Sequence, residues 1–347
     1  MNLFFYCIKM NKYQLLIELL EKNNNEPTQG SQEWVSDRKK TIGGSEVDLI
    51  VNKFDKFTKD FNIIKLLKNK LGLSDFTGNI HTLWGNLLEP FAIKYFESIF
   101  NTKVNTTGSI KNVVPGIAYS PDGLVYLSVA DLIILLEIKC PTRRIPNGKV
   151  PENYLSQIYT GLQVIKICDC ALFLDCAFRR CTLQEFKFNE EHDDILHKKT
   201  SYNTEDIKLC LVGFYTDSWE EKELDLGSVS IEVLESVLSN KKLKIYYSEI
   251  INNTNNTENS LIDDYRNHIN NSVSIGILPL KLMKVELSIV GRYDWRSENQ
   301  NDEYLDKYKE IIYNILTLIN SLNNLNREDK IETIEKNKKD YIKIFTL

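Results

Sequence analysis

Apolar residues recur along the chain at two periods, and the changes between them mark out the elements. Spacings of three and four predict helices over Tyr13–Leu20, Lys59–Lys70 and Leu83–Phe100. In the second, Phe61, Ile64 and Leu67 share one side. In the third, Leu87, Leu88, Phe91, Ala92, Tyr95, Phe96 and Ile99 make a broad stripe. Short runs around Pro115 and Gly116 then predict strands over Val113–Tyr119 and Gly123–Leu127. The run LIILLEIK, Leu132–Lys139, is almost wholly apolar, as in a strand buried on both faces. A helix over Glu152–Ile165 and strands over Ala171–Phe178 and Thr182–Phe188 follow. Helices, strands, a helix and strands again predict a layered α/β or α+β fold.

The pattern weakens after residue 190. Glu191–Asp206 is polar. Leu209–Tyr215 reads as a strand, Ile231–Leu238 as a helix, Leu278–Val290 as a strand and Asp302–Leu325 as a helix. INNTNNTENS at 251–260 reads as a flexible polar loop, and the Lys-rich tail is expected to fray. The organisation expected is an N-terminal helical segment at 1–30, a compact core at 31–190, and a C-terminal extension at 191–347 packing on that core.

Composition narrows the class. The chain has 347 residues, 42% hydrophobic and 26% charged, which excludes disorder as the dominant state and a coiled-coil rod. No run reaches the ~18–20 apolar residues of a membrane helix. The first residues lack a basic start and a small-residue cleavage site, and Lys9 and Lys12 interrupt them, so they do not read as a signal peptide. Seven cysteines without an export signal imply reduced thiols. Cys168, Cys170, Cys176 and Cys181 lie in and between apolar strands, where a thiol acts as a small hydrophobe; a metal cluster is the weaker alternative. The net charge of −5 counts mildly against a nucleic-acid partner, although local patches decide that.

Chemistry concentrates around SPDG at 120–123 and LEIKCP at 136–141. Asp122 sits where a strand meets a turn. Glu137 and Lys139 share one face of the apolar strand. Burying them unpartnered is costly. A structural ion pair is one account of them. The other uses Glu89 of WGNLLEP as a further carboxylate: carboxylates around a hard cation, with one lysine, suit phosphodiester hydrolysis. TIGGSE at 41–46 reads as a helix entrance where backbone N–H groups attract phosphate, with Ser45 as a cap and Arg38 as a bidentate donor. Arg143, Arg144 and Lys149 form a local basic loop.

Asp122…Glu137-Ile138-Lys139 resembles the PD-(D/E)XK nuclease signature. More narrowly, the chain resembles the viral recombinase group of lambda exonuclease and the YqaJ-type proteins. Five ordered motifs carry that resemblance: Trp34…Arg38…Ile42-Gly43-Gly44-Ser45-Glu46, Gly85…Glu89, Ser120–Gly123, Glu137–Pro141 and Tyr154…Gln157. The resemblance covers roughly residues 31–190.

The resemblance implies a restriction-endonuclease-like core, a central mixed β-sheet flanked by helices, with a C-terminal elaboration. It implies Mg²⁺, two ions per site, replaceable by Mn²⁺. Asp122, Glu137 and the Ile138 carbonyl would ligate metal, Glu89 would serve a second ion or its water, and Lys139 would be the catalytic lysine. Gln157 and Tyr154 would line the site. Arg38 and Ser45 would hold the 5′-terminal phosphate, and Arg143 and Arg144 would grip DNA. The implied activity is digestion of linear double-stranded DNA from its ends, 5′→3′, leaving 3′ tails for recombination or repair. A single-strand annealing protein is the implied partner, a homo-oligomer the implied assembly (a trimer in lambda-type relatives), and the cytoplasm of a virus-infected cell the implied compartment. A structure-specific endonuclease and a non-catalytic DNA-binding protein of the same fold are the alternatives.

Overall fold

The structure is a computed structural model, described here for residues 11–27, 31–51, 56–73, 79–188, 207–217, 223–252, 257–270, 272–292 and 305–344. The first half supplies α1 (Lys12–Lys22), α2 (Gln32–Arg38), β1 (Ile42–Gly43), α3 (Gly44–Val51), α4 (Lys56–Lys70) and α5 (Ile80–Phe100). Then come β2 (Val104–Asn105), β3 (Ile110–Lys111), β4 (Ile117–Tyr119), β5 (Gly123–Leu127), β6 (Leu132–Lys139), α6 (Glu152–Val164), β7 (Cys170–Arg180) and α7 (Leu183–Phe188). The second half adds β8 (Lys208–Thr216), β9 (Leu224–Asp225), α8 (Ile231–Ser239), β10 (Lys244–Tyr247), β11 (Ile251–Asn252), α9 (Thr257–Ile269) and β12 (Val273–Gly291). A 3₁₀ turn (Asp306–Tyr308) leads into α10 (Lys309–Asn323), followed by α11 (Arg327–Lys336) and α12 (Lys338–Ile344).

The large sheet runs β10-β8-β12-β7-β6-β5-β2, with β11 also on β8 and β9 also on β12. It is mixed: β6 and β7 are parallel and joined through α6, while β5–β6, β7–β12 and β8–β12 are antiparallel. This is the α/β fold expected, a mixed sheet flanked by helices with helices at the C-terminus. A small sheet, β1-β4-β3, stands apart from it. The chain passes from the small sheet to the large one through Ser120–Asp122, between the end of β4 and the start of β5. The SPD turn is therefore a joint between two sheets.

The apolar run of β6 divides its side chains between two cores. Ile133 and Leu135 join a cluster with α1, α3, α4, α6 and α10, whereas Ile134, Leu136 and Ile138 join one with α5 and α8. Strand alternation then puts Glu137 and Lys139 on the α6 side of the sheet. Among the described residues, no helix is long and apolar enough to cross a membrane.

Four expectations need correction. Thr182–Phe188 is helical from Leu183, not a strand. Thr182 N–H donates to Glu185 Oε2 (2.6 Å) and Glu185 N–H donates to Thr182 Oγ1 (3.1 Å), a capping box that outweighs the strand-like alternation. The strand expected over Val113–Tyr119 is confined to Ile117–Tyr119, after a turn at Pro115-Gly116 in which Gly116 has φ +76°. The Asn-rich stretch is not one loop: Ile251–Asn252 pair with β8 and the helix α9 starts at Thr257, with 253–256 outside the described residues. The Lys-rich tail forms α11 and α12, and Ile334 is fully buried.

The second half extends the first half's sheet as well as adding helices. Residues 280–291 of β12 pair with β7, and residues 273–282 pair with β8. The polar stretch Glu191–Asp206 lies outside the described residues.

Candidate active site

The β5–β6 hairpin sets the first distance of the site. Its register matches Gly123 with Leu136, so Asp122 falls opposite Glu137 at the open end of the ladder. Asp122 Oδ2 accepts the Ile138 N–H at 2.7 Å, and Lys139 Nζ lies 3.8 Å from the same oxygen. Lys139 also donates to Glu137 Oε1. Glu137 is fully enclosed, and its second oxygen accepts the Tyr119 hydroxyl at 2.9 Å.

Tyr119 reaches Glu137 because two glycines leave room for its ring. A Cβ on Gly44 of α3 would stand 2.5 Å from Tyr119 Cδ2, and one on Gly161 of α6 would stand 2.5 Å from its Cζ. Real Cβ atoms do not approach this closely, so both helices carry glycine where the ring lies against them. The sequence does hold that signal: Gly161 sits mid-helix, where a glycine has no capping role and marks a close approach. Tyr119→Phe should cost ~1–3 kcal/mol in urea unfolding, since Glu137 loses a buried donor. If nuclease activity is present, the variant should also need more Mg²⁺ for half-maximal rate.

The electrostatics are those of crowded negative charge. Burial first, and then the charge of Asp122, push the Glu89 carboxyl up to about 7 against the opposing pull of Lys139. Burial also raises Glu137. Burial works against the Lys139 ammonium, but Glu137 and Asp122 outweigh it and hold its pKa above the ordinary lysine range. All this is consistent with a protonated lysine supplying countercharge to a carboxylate group that holds more negative charge than one lysine offsets.

Glu89, Asp122, Lys139, Tyr154 and Gln157 line one cleft of about 850 Å³, together with Arg38, Ser45, Arg143 and Arg144. Glu137 does not line it. The carboxylates are hard oxygen donors, and their excess charge suits a divalent cation. Among the described residues, however, no three His, Cys, Asp or Glu side chains are gathered as an ion-holding group.

The opposite wall is built around Trp34. Its Nε1 donates to Ser120 Oγ (3.2 Å), which ties α2 to the SPD turn, and the Arg38 guanidinium stacks 4.7 Å from its ring centroid. Arg38 donates to Ser45 Oγ at 3.3 Å. Beneath them, buried Lys70 bridges the Arg38 carbonyl (2.6 Å) and Glu46 (2.5 Å). The helix entrance expected at TIGGSE is present, with α3 starting at Gly44. Ser45 lies inside its first turn and is not the cap; the Gly43 N–H is met by Glu46 Oε2 at 2.7 Å. Tyr119 and Lys70 are supporting residues that the sequence reading does not single out, and it gives Trp34 no role beyond its place in a motif.

The basic loop divides. Arg143 is exposed on the cleft. Arg144 places its fork on buried Asp175 of β7, with one N–H to Oδ1 at 2.8 Å and the other on Oδ2. This two-point pair anchors the loop to the sheet, and both arginines line the cleft. His81 is engaged with Thr142 Oγ1 at 2.6 Å. Cys140, Cys168 and Cys176 are buried thiols, and burial pushes the pKa of each upward.

Residues 33–167 match the YqaJ-like viral recombinase domain. Over that segment the chain is similar to the YqaJ-like proteins. The YqaJ-like segment takes in every cleft residue named above and stops before β7. An African swine fever virus protein from a Malawi tick isolate is 22% identical over 261 residues, covering 64% of this chain and 72% of its own length. Its counterpart in the South African Pretoriuskop isolate is 23% identical over the same length. Among solved structures, the alkaline exonuclease LHK-Exo of Laribacter hongkongensis is 24% identical, with a TM-score of 0.34, over 42% of this chain and 73% of that one. A phage-related exonuclease of Haemophilus somnus is 16% identical, with a TM-score of 0.33, over 66% of this chain and 90% of that one.

Proposed function

We propose that the chain is a divalent-metal-dependent deoxyribonuclease that digests linear duplex DNA from its ends, 5′→3′. The observation that carries this reading is the convergence of Asp122, Glu137 and Lys139 at the open end of the β5–β6 ladder, beside a cleft whose other wall holds Arg38 and Ser45. The polarity comes from the five-motif resemblance. Asp122, Glu137, Glu89 and the Ile138 carbonyl would hold Mg²⁺, which when bound supplies an acidified water and charge neutralisation at the phosphate.

The chain's own groups do the remainder. The Lys139 ammonium, fixed by Glu137, faces negative charge that grows at the scissile phosphate. Arg38 donates to Ser45, lies 3.9 Å from Glu46 and keeps its plane on Trp34, and its remaining N–H donors meet a terminal phosphate. Gln157 and Tyr154 border the strand from α6, and Arg143 contacts backbone phosphate.

The test is a Mg²⁺ time course on linear duplex labelled at either end, with a closed circle alongside and Lys139→Met as control. Early loss of the 5′ label, an intact circle and a silent variant are the expected results. Cutting of the circle would replace the exonuclease with an endonuclease. Binding without Lys139-dependent hydrolysis would make the protein a DNA-binding relative.

A further inference from the structure

Glu89 and Asp122 border a second space besides the cleft. This recess, of about 670 Å³, shares Asn86, Glu89 and Asp122 with the cleft. Its other walls come from elsewhere: the end of α1 and the turn after it, β2, and the segment leading to β3. The two differ in chemistry. The cleft carries arginines, a lysine and the rings of Trp34 and Tyr154, whereas the recess adds to the shared carboxylates mainly carboxamides and threonines, a single lysine, Lys103, and Glu26, which is paired with Lys111 at 2.6 Å; no aromatic ring is among its lining residues.

Several polar groups of this recess have capacity to spare. The Thr107 hydroxyl is shielded from solvent and meets no hydrogen-bond partner among the described residues. Pro90 lies inside α5 and has no N–H, so the Asn86 carbonyl lacks its helical donor. Asn23 and Asn105 each donate their amide N–H to a backbone carbonyl, of Leu19 and Leu124. That leaves the carboxamide oxygens of both as acceptors.

We propose that this recess binds the deoxynucleotide on the 3′ side of the scissile phosphate, while the Arg38 side of the cleft holds the 5′-terminal one. The assignment rests on the nuclease reading above. A strand lying across Asp122 and Glu89 has a nucleotide on each side of the cut, and the recess is the space these two side chains border away from Arg38. Its volume falls in the range of roughly 300–1,000 Å³ typical of small-ligand sites, enough for a nucleotide. Lys103 suits one backbone phosphate. Carboxamide and hydroxyl groups meet base edges of any sequence, as a processive enzyme requires, and the lack of aromatic rings leaves no stacking platform that would favour particular bases.

The test measures release of thymidylate in Mg²⁺ from thymidylate carrying a 3′-(methyl phosphate), which has no nucleotide beyond the cut, and from 5′-phosphorylated oligothymidylates, comparing wild type with Thr106→Trp. A second arm measures binding of a labelled tetrathymidylate in EDTA, with Lys103→Ala added. Thr106 and Lys103 are exposed on the rim, and the thermal midpoint verifies that each variant is folded. In wild type, kcat/KM should climb about tenfold or more from the methyl ester, which leaves the recess empty, to the dinucleotide, which fills it. Thr106→Trp should abolish that climb, and Lys103→Ala should reduce the slope of log affinity against log salt by ~0.7, one single-strand phosphate. An equal climb in wild type and Thr106→Trp overturns the proposal. If nothing is hydrolysed, the nuclease reading fails separately, and the EDTA arm decides the recess: tetrathymidylate binding unchanged in both variants overturns it.

Discussion

Asp122→Asn is expected to reduce Mg²⁺-dependent hydrolysis by ~10³-fold or more, which is about 4 kcal/mol of transition-state stabilisation, while leaving the protein folded. The carboxylate has two separable tasks. Its Oδ2 accepts the Ile138 N–H, which closes the end of the β5–β6 ladder. An asparagine oxygen accepts that same hydrogen bond. What the amide cannot supply is charge: it binds a hard cation far more weakly and no longer offsets Lys139, 3.8 Å away. Loss of rate with an unchanged unfolding midpoint separates the two tasks. If the variant retained the wild-type rate, Asp122 would be a ladder cap and the mechanism would fall.

Glu89→Gln, by contrast, should raise the stability of the metal-free protein. The Glu89 carboxyl sits at about 7 in the folded protein, against 4.5 as its ordinary value, chiefly through burial and then through Asp122. The folded state therefore holds a proton that the unfolded state releases across pH 4.5–7. Stability of the metal-free wild type falls as pH rises through that window, and below it the two states are protonated alike. Glutamine removes the penalty. At pH 8 without metal the variant should be the more stable, by on the order of 1–3 kcal/mol at ~1.4 kcal/mol for each pKa unit less screening at the partly exposed end, and the difference should vanish near pH 4. Adding Mg²⁺ should raise the wild-type midpoint more than the variant's. Urea unfolding of both proteins at pH 4 and pH 8 measures it, and equal stability at pH 8 would show that Glu89 is not strained. Nuclease activity should fall in the variant, so a stabilising change and a loss of function would coincide at one position.

Most of the site could be placed from the sequence because its chemistry is carried by local patterns. The otherwise apolar LIILLEIK allows two charged residues at its end few explanations, and β6 occupies Leu132–Lys139 as expected. The turn residues of SPDG fix where β5 starts. What escapes a reading of the sequence depends on contacts between distant segments. Tyr119 acts through glycines 75 residues behind it and 42 ahead. Arg144 is held by Asp175, a residue hidden inside another apolar strand. Trp34 is a motif position whose bond to Ser120 spans 86 residues. The helix at Leu183 is a different failure: its TLQE capping box is local and legible, but Phe186 and Phe188, two apart, draw attention to the strand period instead.

The long strand β12 imposes an order on synthesis. A ribosome delivers the cleft residues first, together with β6 and β7, yet the edge of β7 opposite β6 is filled only by residues 280–291. Until those residues leave the exit tunnel, an apolar edge stands open beside a nearly complete site, the arrangement most prone to join a neighbouring nascent chain. The YqaJ-like segment, excised at residue 167, would lack even β7. Recombinant work on the isolated segment would therefore study a sheet missing the strands on one side of β6, and the nascent protein has reason to wait for its last strand before it is safe from itself.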